Sequence, residues 1–136
     1  MSHECNNFLM TCIDFRFHEA IYQWAKDKGL QNDFDLVSMA GVQKSIIDED
    51  TRAAVLKQLD ISVRLHKSHT VILIAHQDCG AYGGSVTFAS WDEEKAKYIE
   101  DLNKAEELIY QKFSNLNVRK MVLTFDSENK IEIIEV

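Results

Sequence analysis

Cys12 and Asp14, with Arg16 two residues further on, form one group of reactive side chains; His76 and Cys79 form another, far along the chain. Two thiols and an imidazole are a donor set that zinc accepts in tetrahedral geometry, and catalytic zinc keeps one position open. The His-x-x-Cys spacing puts His76 and Cys79 on one side of a tight turn. Gly80 is expected to let the backbone pack closely beside the metal. If the chain stays extended after Cys12, then Cys12, Asp14 and Arg16 point the same way. Asp14 then lies within reach of the fourth position, and Arg16 holds its carboxylate by a bidentate pair.

Charge decides what such a site does. Two thiolates offset the charge of the zinc ion, so it is a weaker Lewis acid than zinc held by three imidazoles. A helper is needed to favour zinc-bound hydroxide at neutral pH. Asp14 can accept that hydroxide's hydrogen bond and orient its lone pair, while Arg16 keeps Asp14 ionised. The same carboxylate, moved onto the metal, would close the site and silence it.

Each residue alone has a plainer explanation. Free cysteine is among the most buried residue types, and a lone histidine is more often a satisfied core residue. Asp14 with Arg16 alone could be a surface ion pair contributing ~0–1 kcal/mol. The conjunction at two strand ends argues for zinc. Gly80, Gly83 and Gly84 lack the Gly-Lys-Ser/Thr of a phosphate loop. A thiol oxidoreductase would need Cys-x-x-Cys. Cys5 has no partner at ligand spacing and is taken as a bystander. His3, His18, His66 and His69 are expected to be exposed or helix-flanking.

The elements that must position these groups alternate. Strand 8–12 is followed by helix 17–28, whose stripe of Phe17, Ala20, Ile21, Trp24 and Ala25 ends at Gly29. Strand 35–40 ends at Gly41. A long helix over 48–67 has acidic residues in its first turn and a stripe of Leu56, Leu59 and Val63. Strand 70–75, Thr-Val-Ile-Leu-Ile-Ala, has the unbroken apolar run of a strand covered on both faces. Ser90 to Glu93 has capping-box spacing and opens helix 90–113, with Ile99, Leu102, Glu106, Ile109 and Phe113 on its inner face. Strands 119–125 and 130–136 form a closing hairpin. This predicts an α/β fold: a mostly parallel central sheet flanked by helices, with an antiparallel C-terminal edge strand. Sites in such sheets lie outside the carboxyl ends of the strands, where Cys12 and His76 both fall.

The chain has 136 residues, no proline and a net charge of −7. That is the size of one domain, spanning 1–136. The scattered basic residues disfavour nucleic acid and anionic membranes as partners. No apolar run approaches the ~20 residues that cross a bilayer, and the first residues do not resemble a secretion leader. Three cysteines make a disulfide framework implausible, so a cytoplasmic location is expected.

At its site residues the chain resembles the β-class carbonic anhydrases. That family carries Cys-x-Asp-x-Arg after its first core strand and Gly-His-x-x-Cys-Gly after a later one. Cys12-Ile-Asp14-Phe-Arg16 and Ala75-His76-Gln-Asp-Cys79-Gly80 are similar in type and order. Met39-Ala40-Gly41 resembles the family's Asn-Ala-Gly turn. The resemblance implies one zinc per subunit held by Cys12, His76 and Cys79, with Asp14 and Arg16 as catalytic dyad and Asp14 as alternative fourth ligand. It implies reversible hydration of carbon dioxide to bicarbonate by a homodimer or higher assembly. Three features depart from the pattern. Phe15 stands where serine is usual, Ser38 and Met39 replace an Arg-Asn pair, and the chain starts almost at the first core strand. The alternatives are hydrolysis of another small linear molecule, such as carbon disulfide or carbonyl sulfide, and a closed, catalytically inactive zinc protein.

Overall fold

A computed structural model describes residues 2–136. Its sheet has five strands: β1 (Asn7–Thr11), β2 (Phe34–Ser38), β3 (Thr70–His76), β4 (Asn117–Phe125) and β5 (Ile131–Glu135). Their order is β2-β1-β3-β4-β5. The first three neighbouring pairs are parallel, and only β4 and β5 run antiparallel. The mostly parallel α/β architecture and its closing hairpin are as expected.

Side-chain alternation divides the core between the two faces. Leu9, Ile72 and Ile74 point toward α1 (His18–Asp27), where Phe17 and Ile21 cover them. Phe8, Met10, Val71 and Leu73 point the other way, toward α2 (Gln43–Ile47), α3 (Glu49–Ile61) and α4 (Trp91–Lys112). All seven residues of β3 are buried, which is why its sequence is apolar without a break.

The helix between β1 and β2 thus lies on one face, and those between β2 and β3 lie on the other. The connections leave β1 and β3 in opposite directions along the sheet, so its switch point lies at the carboxyl ends of these two strands. Cys12 immediately follows β1, and His76 ends β3.

The expected helix over 48–67 is present: α3 runs from Glu49, and a π-helical turn over Ser62–His66 continues it without a break. Asp48 is extended (φ −72°, ψ 126°) and separates it from α2, a short helix the sequence did not announce. The break at Asp48 is sealed by side chains: Thr51 Oγ1 donates to the Ser45 carbonyl (2.6 Å) and Arg52 Nε to that of Ile46 (2.7 Å). Those are terminal carbonyls that a continuous helix would have used itself. Two other local expectations need correction. In α4 the buried face is Glu94, Tyr98, Asp101, Leu102, Ala105 and Ile109. Ile99 and Glu106 lie at its margins, because two carboxylates and a tyrosine take inward positions that polarity disfavours. At Gly80, finally, an added Cβ would meet nothing within 4 Å. The close approach belongs to Gly41, at φ +76°, where a Cβ would lie 2.8 Å from that of Ala81.

Candidate metal centre

Cys12, His76 and Cys79 converge at this switch point, each nearly inaccessible to solvent, with one donor atom from each within 4.8 Å of the other two. By alternation, Cys12 continues the α4-side row of Phe8 and Met10, whereas His76 continues the row of Ile72 and Ile74 and packs on Phe17 at 4.8 Å between ring centroids. The cluster therefore straddles the carboxyl margin of the sheet.

The imidazole is oriented for a cation. His76 Nδ1 donates to the Gln77 carbonyl at 2.8 Å, which leaves Nε2 with its lone pair. That atom is buried and has no hydrogen-bond partner among the described residues. An orphaned buried acceptor between two sulfurs is costly in a finished core. A backbone carbonyl holding the far nitrogen is the usual support of a metal-bound histidine. The soft sulfur and nitrogen donors suit zinc. On these grounds the three residues fit a zinc ion.

The two thiols are not equivalent. The hydrogen-bonding proximity of Cys79 lowers the Cys12 pKa far below the ordinary thiol value despite burial, and that of Cys12 raises Cys79. The first thiol proton of the pair is therefore readily lost and the second is retained unless a cation replaces it.

Asp14 and Arg16 meet, but not by alternation along an extended strand. β1 ends at Thr11, and the chain then turns. Asp14 Oδ1 accepts from the Arg16 backbone N–H at 3.0 Å, a local turn closed by the side chain. Arg16 donates from Nε (3.0 Å) and Nη2 (2.6 Å) to the two oxygens of Asp14. That pairing, above all, holds the carboxyl at about 2 against the opposing effect of burial. Asp14 Oδ2 lies 3.9 Å from His76 Nε2, beside the donor cluster.

Sequence reasoning missed the rest of the frame. Asp78, inside His-x-x-Cys, takes Arg16 Nη1 on its carboxylate (3.0 Å) and Arg16 Nη2 on its carbonyl (3.0 Å). Its φ of +60° lies in a region that Asp and Asn tolerate best, which the sequence does not display. Glu94 is buried and accepts from the Asp78 N–H (2.6 Å), the Tyr98 hydroxyl (2.7 Å) and the Ser85 hydroxyl (2.7 Å). Tyr98 Oη in turn accepts from the Cys79 N–H at 3.3 Å. Ser38, one of the departures noted in sequence, donates to the Cys12 carbonyl at 3.0 Å. Phe15 is 85% exposed and does not cover the cluster. Beside Arg16 a cavity of about 290 Å³ opens between Phe17, Phe125, Asn129 and Ile131. Cys5, taken as a bystander, lies with Asp35 and His66 in a second group of donors.

Comparison with known proteins bears on the family and the fold. A family model described as "Putative carbonic anhydrase" matches residues 2–135. An uncharacterized protein of Rickettsia bellii is 29% identical over 129 residues, covering 90% of this chain and 79% of its own length. One of Rickettsia conorii is 28% identical over 129 residues, with 90% and 69% covered. In fold, the chain is similar to a solved tetrameric β-carbonic anhydrase of the filamentous ascomycete Sordaria macrospora. The TM-score is 0.58 at 13% identity, over 98% of this chain and 82% of that one.

Proposed function

The chain belongs to the "Putative carbonic anhydrase" family, and from that premise we propose that it catalyses the reversible hydration of carbon dioxide to bicarbonate in the cytoplasm, as a one-domain zinc protein. Cys12, His76 and Cys79 hold the ion, one per subunit. The observation that carries this reading is the unpartnered Nε2 of His76, turned between two thiols with the Asp14–Arg16 pair alongside.

Zinc held there would supply a Lewis acid that lowers the pKa of water and so makes a nucleophile at neutral pH. The chain's own residues do the rest. Asp14, kept ionised by Arg16, accepts the proton-side hydrogen bond of the attacking water and aims its lone pair at the carbon. Arg16 is held in turn by Asp78, so the carboxylate keeps its orientation through the cycle. The apolar walls of Phe17, Phe125 and Ile131 suit an uncharged gas better than the bicarbonate that leaves. The exposed side chains of Ile13 and Phe15, in the segment after β1, and of Leu36, on the edge strand β2, support assembly into a homodimer or larger homo-oligomer.

Zinc content and stopped-flow hydration test the proposal together. Wild-type protein is expected to carry zinc and turn over carbon dioxide. Asp14→Ala should keep the zinc and lose at least about 100-fold in rate, the size of a general-base or positioning contribution. A zinc-loaded wild type no faster than buffer ends the enzymatic reading.

A further inference from the structure

Cys5, Asp35 and His66 come from the residue before β1, from β2 and from the π-helical turn that precedes β3. One donor atom of each lies within 4.8 Å of the other two. We propose that these three residues, with His3 beside them, form a second metal site for a borderline divalent cation of the zinc class. It lies at the amino-terminal margin of the sheet. β1 separates Cys5 from Cys12, and seven residues at ~3.3 Å each put the two centres roughly 20 Å apart.

The group is built rather than incidental. The Cys5 N–H donates to the His66 carbonyl at 2.9 Å, which ties the thiol's backbone to the imidazole's. Asp33 receives the Asn6 N–H (2.8 Å), the Asn6 amide (2.9 Å) and the Asn7 amide (3.2 Å), fastening this segment to the start of β2. Asn6 O accepts from His69 (3.0 Å) and Thr70 (3.1 Å), fastening it to the start of β3. Lys67, at φ +63°, turns the chain immediately after His66.

The donors lack a cation. His66 Nδ1 faces both oxygens of Asp35, at 2.9 and 2.8 Å. Among the described residues no lysine or arginine pairs with Asp35. The Cys5 thiol has a loose contact of 3.6 Å to the Asn7 carbonyl. The Cys5 thiol also lies within hydrogen-bonding reach of the Asp35 carboxylate, so sulfur, nitrogen and oxygen all turn to one point. The His3 ring stands 5.1 Å from that of His66, centroid to centroid, within reach of a fourth position. Side chains of Asp35 and His66 are about one-third exposed, so a hydrated ion can enter.

Mixed sulfur, nitrogen and oxygen donors select zinc-like metals over magnesium or calcium. Tetrahedral ligands at zinc distances sit roughly 3.2–3.7 Å from one another. The aspartate–histidine contact therefore opens by about half an ångström, and the thiol closes in.

Metal content after equilibrium dialysis against micromolar zinc distinguishes the two centres. Wild type is expected to hold two zinc ions per chain. Cys5→Ser and His66→Gln should each hold one, with carbon dioxide hydration unchanged and the far-UV circular dichroism of the wild type. Cobalt loading of the Cys12→Ser/Cys79→Ser double variant should still show a sulfur-to-metal charge-transfer band, and that band should vanish when Cys5→Ser is added. Zinc content unchanged in both Cys5→Ser and His66→Gln overturns the second site. A loss confined to Cys12→Ser does the same, while leaving the first centre standing.

Discussion

Asp78 holds Arg16 from the side opposite Asp14, so the guanidinium spans two carboxylates contributed by separate strand ends. Asp78→Asn keeps a residue that tolerates φ +60° and removes only the charge. Zinc content should be unchanged and kcat should fall about 5- to 10-fold, by the order of one charge-assisted contact; stopped-flow hydration reads it. An equal loss on Asp78→Ala with unchanged kcat for Asp78→Asn would assign it to the turn alone. The depressed pKa of Asp14 has a thermodynamic sign. Its folded value is about 2, below the reference of 3.8, so the pair's contribution is complete above about pH 4–5 and disappears as pH falls through 2. In metal-free protein, Asp14→Asn should be less stable than wild type by about 1 kcal/mol at pH 6, a figure reduced for the half-open Arg16. Chemical denaturation should show that gap closing below pH 4. The five residues singled out in sequence come together because each motif keeps its donors within a few positions of a strand end. Asp78 and Glu94 escaped notice because neither an unusual φ nor an inward-facing carboxylate announces itself in a residue type.

Elements decide how precisely the donors are held. Gly41 ends the loop after β2, and its φ and the Ala81 contact both exclude a side chain. Gly41→Ala combines a left-handed penalty with overpacking and should cost about 2–4 kcal/mol in thermal or urea unfolding. Gly80→Ala, next to a ligand but facing open space, should cost under about 1 kcal/mol. The ranking reverses what motif position alone suggests. β3 was legible because two covered faces demand an uninterrupted apolar run, and α1 because Gly29, at φ +73°, stops it. The helix start at Asp48 was legible from its acidic first turn, but the short α2 before it and the π-helical end at Ser62–His66 were not. Thr51 and Arg52, which satisfy the last carbonyls of α2, are ordinary helix residues until the chain has turned. The Cys5 group was likewise hidden, because only the pairing of Asn7 with Phe34 and with Thr70 brings positions 5, 35 and 66 to one place.

At the scale of the molecule, the donor cluster is almost wholly covered by one chain, while Ile13 and Phe15, beyond β1, and Leu36, in β2, are exposed. If that surface is the self-association face, Leu36→Asp should shift the assembly toward monomer in light scattering at micromolar concentration. Zinc content should persist, because none of the three donors lies in β2. An unchanged mass would place the interface elsewhere. The sheet order leaves two unpaired margins of unequal character. β2 presents Leu36 and Val37, whereas β5 carries Glu132 and Glu135 among three isoleucines. A margin that joins its own copy about a two-fold axis is consumed by the union, whereas one joined to the opposite margin leaves a fresh end for the next molecule. Acidic side chains along β5 penalise that second mode by repulsion and desolvation. Glu135 is already paired with Arg119. In the assembly proposed above, closed through β2, neutralising Glu132 would therefore endanger solubility before it touched chemistry by opening the way to an end-to-end ribbon.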